Sequence, residues 1–564
     1  MNPVPSPSVK NSGSIFTDVT FYHWMVVIIA SCGWLFDCMD QRLFILARES
    51  ALREVLGDQA AAQAQIKTYI GLATASMMVG WAVGGVFFGM MSDKVGRVKT
   101  MIATLLVYSG FTGLSGTSQS WIDFTIYRFL VGLGVGGMFG AATTLVAESV
   151  PGQFRAVALG SLQALSAMGN ITGSAISFWI PPGQADMLAG LAGWRVLFFV
   201  GIIPSLLVVP IIFVLREPEK WLQAKAEAVA GRGAKQVGSP ADLFVDKRWR
   251  RSTIVGLLLG LSGMIGLWGI GFFSPELITT ALKDTPMQWE QLRDPDRLAA
   301  TLRTSEDPAV LRIKTQMPSD ALSVVESLAS QNAADLPPAE RDTFVSGLNT
   351  VIRGPSLYDA EVFASISLDT STVNLASKVR EAAEEGDVAF LNRRLVEQTF
   401  PDTLQSIQSY IDSVRAKGTA LQDAGAFLGM LTFTFVASHF SRRAAFLGAF
   451  LLCLVTTMFV FYSLNSASDA YWMLPMMGFA QLAVFAGYSI YFPELFPTRL
   501  RGTGVGFCYN TVRILAAPFP WLLGHLSTLM NFRTAAVLMA SVYLLGVIAL
   551  IWAPETKGKP LPED

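Results

Sequence analysis

The sequence predicts an all-α membrane protein: twelve transmembrane helices in two six-helix halves, with an extra helical extracytoplasmic domain between helices 7 and 8. Three observations carry this expectation. Of 564 residues, 52% are apolar and only 15% charged, where soluble domains carry about 25% charged residues, and the mean hydropathy is +0.44. Apolar runs long enough to cross a bilayer, about 20 residues each, recur along the chain. Basic residues collect in alternate loops, and short patterns of the first half return in the second.

In chain order, residues 1–21 are polar and rich in Pro and Ser, with no cleavable signal pattern, and are expected to form a disordered cytoplasmic tail. Twelve candidate spans follow, at 22–46, 67–91, 99–117, 122–147, 156–180, 195–215, 253–278, 419–438, 443–463, 470–492, 503–526 and 534–553. They divide the chain into an N-terminal six-helix half (22–215), a central loop (216–251), helix 7 (252–278), an insert (279–417), helices 8–12 (418–553) and a tail (554–564). An even number of spans puts both termini on one side. Lys94, Arg97, Lys99, Arg155, Arg442, Arg443, Arg499, Arg501, Lys557 and Lys559 share that side, which makes it cytoplasmic. The insert is too polar for a membrane and acidic, with 21 Asp and Glu against 14 Lys and Arg. Its helical spacings, Phe344-Leu348-Ile352 and Leu404-Ile407-Ile411-Val414, predict several short helices, with disorder as the rival reading.

The loop after the second span reads Gly89-Met-Met-Ser-Asp93-Lys-Val-Gly96-Arg97-Val-Lys99. Gly89 allows close helix approach, Gly96 a tight reversal. Asp93 can accept hydrogen bonds at another helix's N-terminus, and Arg97 can grip a carboxylate with two bonds. Together they make a latch; the plainer alternative is a basic loop that only fixes topology. The pattern Glu148-x-x-Pro-x-x-x-Arg155 recurs 346 residues later as Glu494-x-x-Pro-x-x-x-Arg501. The stretch Ser438–Arg443 looks like a worn copy of Ser92–Arg97. These motifs resemble the major facilitator superfamily of transporters. The boxes Arg216-Glu-Pro-Glu-Lys-Trp221-Leu222 and Pro554-Glu-Thr-Lys-Gly558 resemble its sugar-porter-like members. The resemblance covers all twelve spans; the insert departs from it. It implies that Gly89, Asp93, Gly96, Arg97, Glu148, Arg155, Glu494 and Arg501 form an inner gate, and that the substrate site lies between the halves near mid-membrane.

Within the first span, Phe36-Asp37-Cys38-Met39-Asp40 places two carboxylates three residues apart on one face. Intramembrane carboxylates are costly and face a cavity or a partner. Desolvation disfavours their charged form, which suits a group that takes and releases protons. The pattern resembles span 1 of the metabolite:proton symporter branch, with Cys-Met where that branch usually has Gly-Tyr or Gly-Phe. Asp37 and Asp40 are thus the expected proton-coupling residues; a local pair of Asp40 with Arg42 is the alternative. Arg128, in a Gly-rich span 4, needs an anion, either Asp37 or Asp40. Gly132–Gly137 also fits GxGxxG, but it follows no strand and is read as helix packing rather than a dinucleotide site. Asn510 and Arg513 in span 11 match the Asn-x-x-Arg of the same branch, and a buried cation there suits an anionic substrate. With Arg128, Arg513 and Asn510, the residues Gln163, Gln481, Asp423 and Trp268 complete the expected substrate-binding set, and Asp37 and Asp40 are expected to share one water-lined central chamber with Arg128 and Arg513.

These residues predict a secondary active transporter that moves a small carboxylate with a proton by alternating access. The alternatives are a sugar transporter (symport or uniport) and a non-transporting membrane nutrient sensor that uses the insert. No enzyme motif, metal cluster or cofactor loop is found. The four cysteines all fall in apolar runs, without CxxC spacing. The expected partners are a small-molecule substrate, a proton and the lipid bilayer, not nucleic acid. The expected state is a monomer, multi-pass in a plasma (bacterial inner) membrane with both termini cytoplasmic.

Overall fold

The computed structural model describes residues 16, 18–57, 66–184, 186–188, 190–229, 237–282, 285–357 and 388–563. Most of the expected N-terminal tail, and residues 358–387 of the insert, lie outside them. Among the described residues every regular element is a helix, apart from two isolated β-bridges. The chain separates into two compact units. One comprises residues 1–277, 418–464 and 468–564, the other 278–417 with 465–467.

In the larger unit the helices follow the apolar runs. Nine described helices are long and apolar enough to cross a membrane, where twelve spans were expected. The remaining three expected spans are helical but fall short for physical reasons. Arg97–Ser115 opens with Arg97 and Lys99. Arg155–Trp179 carries Gln163, Asn170 and many small residues. Arg501–Ala516 is 16 residues long, and Pro518 starts a separate helix, Pro518–Leu529; a proline deep inside a helix removes a backbone bond and clashes with the preceding turn.

Glycine sets how closely these helices pack. A Cβ on Gly132 would collide with the carbonyl oxygen of Met77, and one on Gly136 with that of Trp81. The Trp121–Ser149 and Ile66–Val95 helices therefore touch backbone to backbone, as the helix-packing reading of the GxGxxG match requires. In the second repeat Gly425 and Gly429 meet the carbonyls of Pro475 and Phe479 in the same way. The seventh span is irregular. Lys247–Met264 passes through a π-helical turn, Ile265–Ile270, and a 3-10 turn, Gly271–Phe273, before Ser274–Leu282. Such bulges re-aim side chains and are frequent at functional sites.

The smaller unit has its own hydrophobic core. Phe344, Leu348 and Ile352 lie on one face of Pro338–Arg353 and pack with Leu298, Leu302, Ile313, Leu395 and Val396. Asp294 and Asp307 cap the helices Pro295–Thr304 and Pro308–Gln316 by accepting backbone bonds, each with proline at the first helical position, a pairing that satisfies otherwise orphaned donors. Asn392, fully buried, accepts from the Leu357 amide at 2.8 Å and donates to the Pro355 carbonyl at 3.0 Å.

Candidate functional site

Three places in the larger unit concentrate buried charge. The first is the loop cluster. Arg97 donates Nε to Glu148 Oε2 at 2.9 Å and Nη2 to Oε1 at 3.1 Å. Arg501, from the second repeat, pairs with the same Glu148. Asp93 accepts from the amides of Gly502 and Thr503 at 3.0 and 2.8 Å and from the Thr503 hydroxyl at 2.7 Å. It thus caps the helix that starts at Arg501, where the exposed N–H groups and helix dipole favour an anion. Arg97 Nη2 also reaches the Thr498 carbonyl at 2.8 Å. Gly89 packs on Gly502, leaving no room for a side chain. Gly96 has φ 136°, a conformation that favours glycine, and a Cβ there would strike Glu217.

The sugar-porter-like boxes interlock with this cluster. Glu217 accepts from the amides of Arg97, Val98 and Lys99 at 2.7, 3.1 and 3.2 Å, and Trp221 donates to the Asp93 carbonyl at 2.6 Å. The second repeat builds the same arrangement. Arg442 grips Glu494 at 3.2 and 3.0 Å. Glu555 accepts from the Ser441 hydroxyl and from the amides of Arg442 and Arg443. Arg155 and Arg501 each donate Nε to the carbonyl eight residues back, Ala147 and Pro493, both at 3.0 Å. Arg155 thus bonds within its own repeat, whereas Arg501 also crosses between them.

The second place is a cavity of about 380 Å³ whose walls include Trp34, Gln41, Arg42, Trp81, Gln163, Trp268, Asp423 and Arg513. A more apolar cavity of about 520 Å³ shares Gln41, Arg48, Trp81, Trp268 and Arg513 with it. The Arg513 guanidinium lies 3.6 Å from the centroid of the Trp81 ring and 4.9 Å from that of Tyr509. Its Nε and Nη1 are buried without a hydrogen-bond partner. Cation–π contact offsets part of the cost of burying the charge, and the idle N–H groups remain able to bind an anion. Trp268 meets Trp81 edge-on, with centroids 6.4 Å apart, held there by the irregular seventh helix. Gln163 Oε1 is also unpartnered.

The third place surrounds Arg128, which lines neither cavity. Arg128 donates Nε and Nη2 to Ser115 Oγ at 3.1 and 2.5 Å. The rings of Phe198, Phe44 and Phe124 surround it at 4.7, 5.4 and 5.9 Å. Asp40 is fully buried within electrostatic range of Arg128, and neither of its oxygens has a hydrogen-bond partner. Asp37, equally buried, accepts from Gln41 at 3.3 Å and lies within range of Arg513.

The sequence expectation of one chamber holding both carboxylates with Arg128 and Arg513 is therefore corrected. Asp37 lies within electrostatic range of both Asp40 and Arg513, and Asp40 within range of Arg128. Arg128 is caged by aromatic rings and lines neither cavity. Asn510 and Gln481 do not line them either. Asn510 donates to the Gly136 and Gly506 carbonyls at 3.2 and 3.0 Å, tying the eleventh-span helix to the fourth. Gln481 donates to Thr457 at 3.2 Å. Gln163, Asp423, Trp268 and Arg513 do line the cavity. The local Asp40–Arg42 pair is not formed: Arg42 pairs with Asp423, 381 residues away.

Sequence reasoning assigned no cavity role to Trp34, Arg42, Arg48 or Trp81. One signal was present: Trp34, Cys38, Gln41, Ile45 and Arg48 recur at three and four residues along the first span, as one helix face does, and all line the cavity.

The Sugar (and other) transporter family profile matches residues 22–247 and 413–563. The chain is 32% identical over 212 residues to the cis,cis-muconate transport protein of Acinetobacter baylyi, covering 38% of this chain and 49% of that one. It is 27% identical over 212 residues to the benzoate transport protein of the same organism, covering 37% and 42%. The chain spans about half the length of the curated relatives it matches. In three dimensions it resembles the major facilitator superfamily proton:xylose symporter XylE, with a TM-score of 0.55, 16% identity, and coverage of 96% of this chain and 98% of that one. That likeness shows the fold.

Proposed function

The chain belongs to the Sugar (and other) transporter family of the major facilitator superfamily, and from that premise we propose that it moves a small organic anion, a carboxylate, together with a proton by alternating access. The observation that carries this reading is Arg513: a buried guanidinium stacked on Trp81 in a Trp-lined cavity, with two of its nitrogens, Nε and Nη1, unpartnered. The cavity lining includes neutral polar side chains such as Gln41, Gln163 and Asn170, and beside them the cations Arg42, Arg48 and Arg513 and flat aromatic faces, which fit a planar carboxylate. The boxes that suggested sugar porters contact the loop cluster, so they give no support to a sugar. The relatives' names, muconate and benzoate transport, point to the same chemistry.

In this reading Arg513 anchors the carboxylate, with Trp268, Gln163 and Asp423 around it. Asp37 and Asp40 carry the proton, and Arg128 biases Asp40. The cluster of Gly89, Asp93, Gly96, Arg97, Glu148 and Arg501 is the gate, closed in this conformation, with Arg155 and Glu494 bracing its two repeats. The chain crosses a plasma membrane twelve times as a monomer with both termini cytoplasmic, and residues 279–417 lie outside. Uptake of radiolabelled carboxylates into proteoliposomes under an imposed pH gradient tests it. Gradient-driven accumulation that is abolished in the Asp37→Asn, Asp40→Asn double variant is expected. Accumulation of pentoses or hexoses in preference to carboxylates overturns the substrate class, and full accumulation by the double variant overturns the coupling.

A further inference from the structure

We propose that Arg42 is a second carboxylate-binding residue of the cavity, held in this conformation by Asp423 as an internal stand-in, so that the preferred substrate carries two anionic groups. The inference rests on the anion-transport reading above and narrows it to dicarboxylates.

Arg42 comes from the helix Phe21–Leu56 and Asp423 from Ile407–His439, in opposite repeats, and both line the cavity. Their ion pair differs from the two-point pairs inside each repeat and, by its exposure, from the fully buried Arg501–Glu148 pair that joins the repeats in the loop cluster. Arg97–Glu148 and Arg442–Glu494 each use two bonds, Nε and Nη2. Arg42 meets Asp423 through Nη2 alone, and its Nε is buried and unpartnered. The side chains are 22% and 17% exposed, where those of Arg97 and Glu148 are 0%. A one-point, partly wetted pair is weaker than a two-point buried one, and the idle Nε is placed for a carboxylate that binds as a fork.

The positions also suit a two-ended ligand. Arg513 lies within electrostatic range of Cys38. Arg42 is four residues further along the same helix, about 6 Å. Trp34, Trp81 and Trp268 wall the space around them, offering flat faces to an unsaturated or aromatic middle. The pair sits far from the gate. Tyr22, near the start of the first helix, accepts from the Arg216 amide beside the gate, and Arg42 lies about 30 Å along that helix from Phe21. Asp423 lies about 24 Å from His439 by the same measure. Displacing Asp423 therefore unties the repeats at the end opposite the gate, so a second carboxylate both binds and releases a restraint. A monocarboxylate held by Arg513 does only the first.

The test uses the full chain, purified and reconstituted, with cis,cis-muconate and benzoate as probes. Binding is read from tryptophan fluorescence and transport from uptake. The wild type is expected to bind muconate more tightly than benzoate. Arg42→Gln should weaken muconate about ten-fold more than benzoate, and Arg42→Lys should recover part of that difference. Asp423→Asn, which removes the competitor, should tighten muconate several-fold. Equal losses for both probes in Arg42→Gln, or weaker muconate binding in Asp423→Asn, overturn the proposal. If the wild type binds benzoate and shows no preference for muconate, this proposal alone falls. If it binds neither, the anion reading falls with it.

Discussion

Arg97 and Glu148 meet through two parallel hydrogen bonds, and both side chains are fully buried. Arg501 reaches the same carboxylate from the other repeat. Glu148 is thus the shared anion between two cations that belong to different halves. Removing one partner of a buried pair leaves an uncompensated charge, a cost of about 3–5 kcal/mol. Glu148→Gln is therefore expected to favour the separated arrangement of the two repeats. A cysteine placed at Ser92, buried beside Gly502, should be alkylated faster in the Glu148→Gln background than without it.

Gly89 faces the Gly502 backbone, where a Cβ would lie 2.7 Å from the carbonyl oxygen. Overpacking a close contact costs roughly 1–3 kcal/mol. Gly89→Val should weaken the same closed arrangement and slow transport, while Gly448→Val, at a position where a Cβ meets open space, should leave uptake near the wild-type rate. Parallel uptake assays separate the two.

In the proposed reading Arg513 offers planar N–H donors to the carboxylate, and its guanidinium stacks on Trp81. Lysine keeps the charge and loses both features. Arg513→Lys is expected to lower carboxylate uptake about ten-fold or more, corresponding to roughly 1.4 kcal/mol. Trp81→Leu should lower it in the same direction through loss of the stacked face, read as a rise in the apparent dissociation constant.

Glu555 lies outside the spans. Burial pushes its carboxyl up, but the Ser441 hydroxyl and the amides of Lys557, Arg443 and Arg442 outweigh it and hold the group at about 2, below its ordinary 4.5. A depressed carboxylate contributes stability that is present in full above the ordinary value and is lost as pH falls through the folded one. The contact between the C-terminal tail and the helix Arg442–Ser463 should persist above about pH 4.5 and disappear towards about pH 2. Hydrogen exchange at the Arg442 and Arg443 amides reads this directly. Glu555→Gln should make that exchange fast and nearly independent of pH after correction for intrinsic rates.

In the smaller unit, Asn392 satisfies the Leu357 amide and the Pro355 carbonyl from a fully buried position. Asn392→Ala leaves those groups unpaired, at a cost of about 1–3 kcal/mol each. The local unfolding free energy of residues 338–357, measured by hydrogen exchange, should fall by that order.

Much of the fold was legible because its signals are local. Apolar runs marked the helices, and the loop Gly89–Lys99 with its fixed spacing marked the cluster. The exact repeat Glu148…Arg155 and Glu494…Arg501 marked equivalent positions in the two halves, while the bond that each arginine makes to a carbonyl eight residues back came only from the structure. The seventh span's π-helical turn was not legible, since its Gly-rich run allows several windings. Nor was the count of spans secure: a helix that opens on charges, as Arg97–Ser115 does, or is cut short before Pro518, as Arg501–Ala516 is, falls below the length or hydropathy of a lone span.

By itself the sequence determined which charges enter the helices: Asp37, Asp40, Arg128 and Arg513 are all in apolar surroundings whatever the packing. Only the tertiary structure decided how they group. Neighbouring positions on a helix point about 100° apart, so a small rotation decides whether a side chain meets the cavity or another helix. That is why Arg128 ends among Phe44, Phe124 and Phe198 rather than in the cavity, and why Arg42 finds Asp423 instead of its near neighbour Asp40. Residues hundreds apart in the chain can be paired only by the packing that brings their helices together.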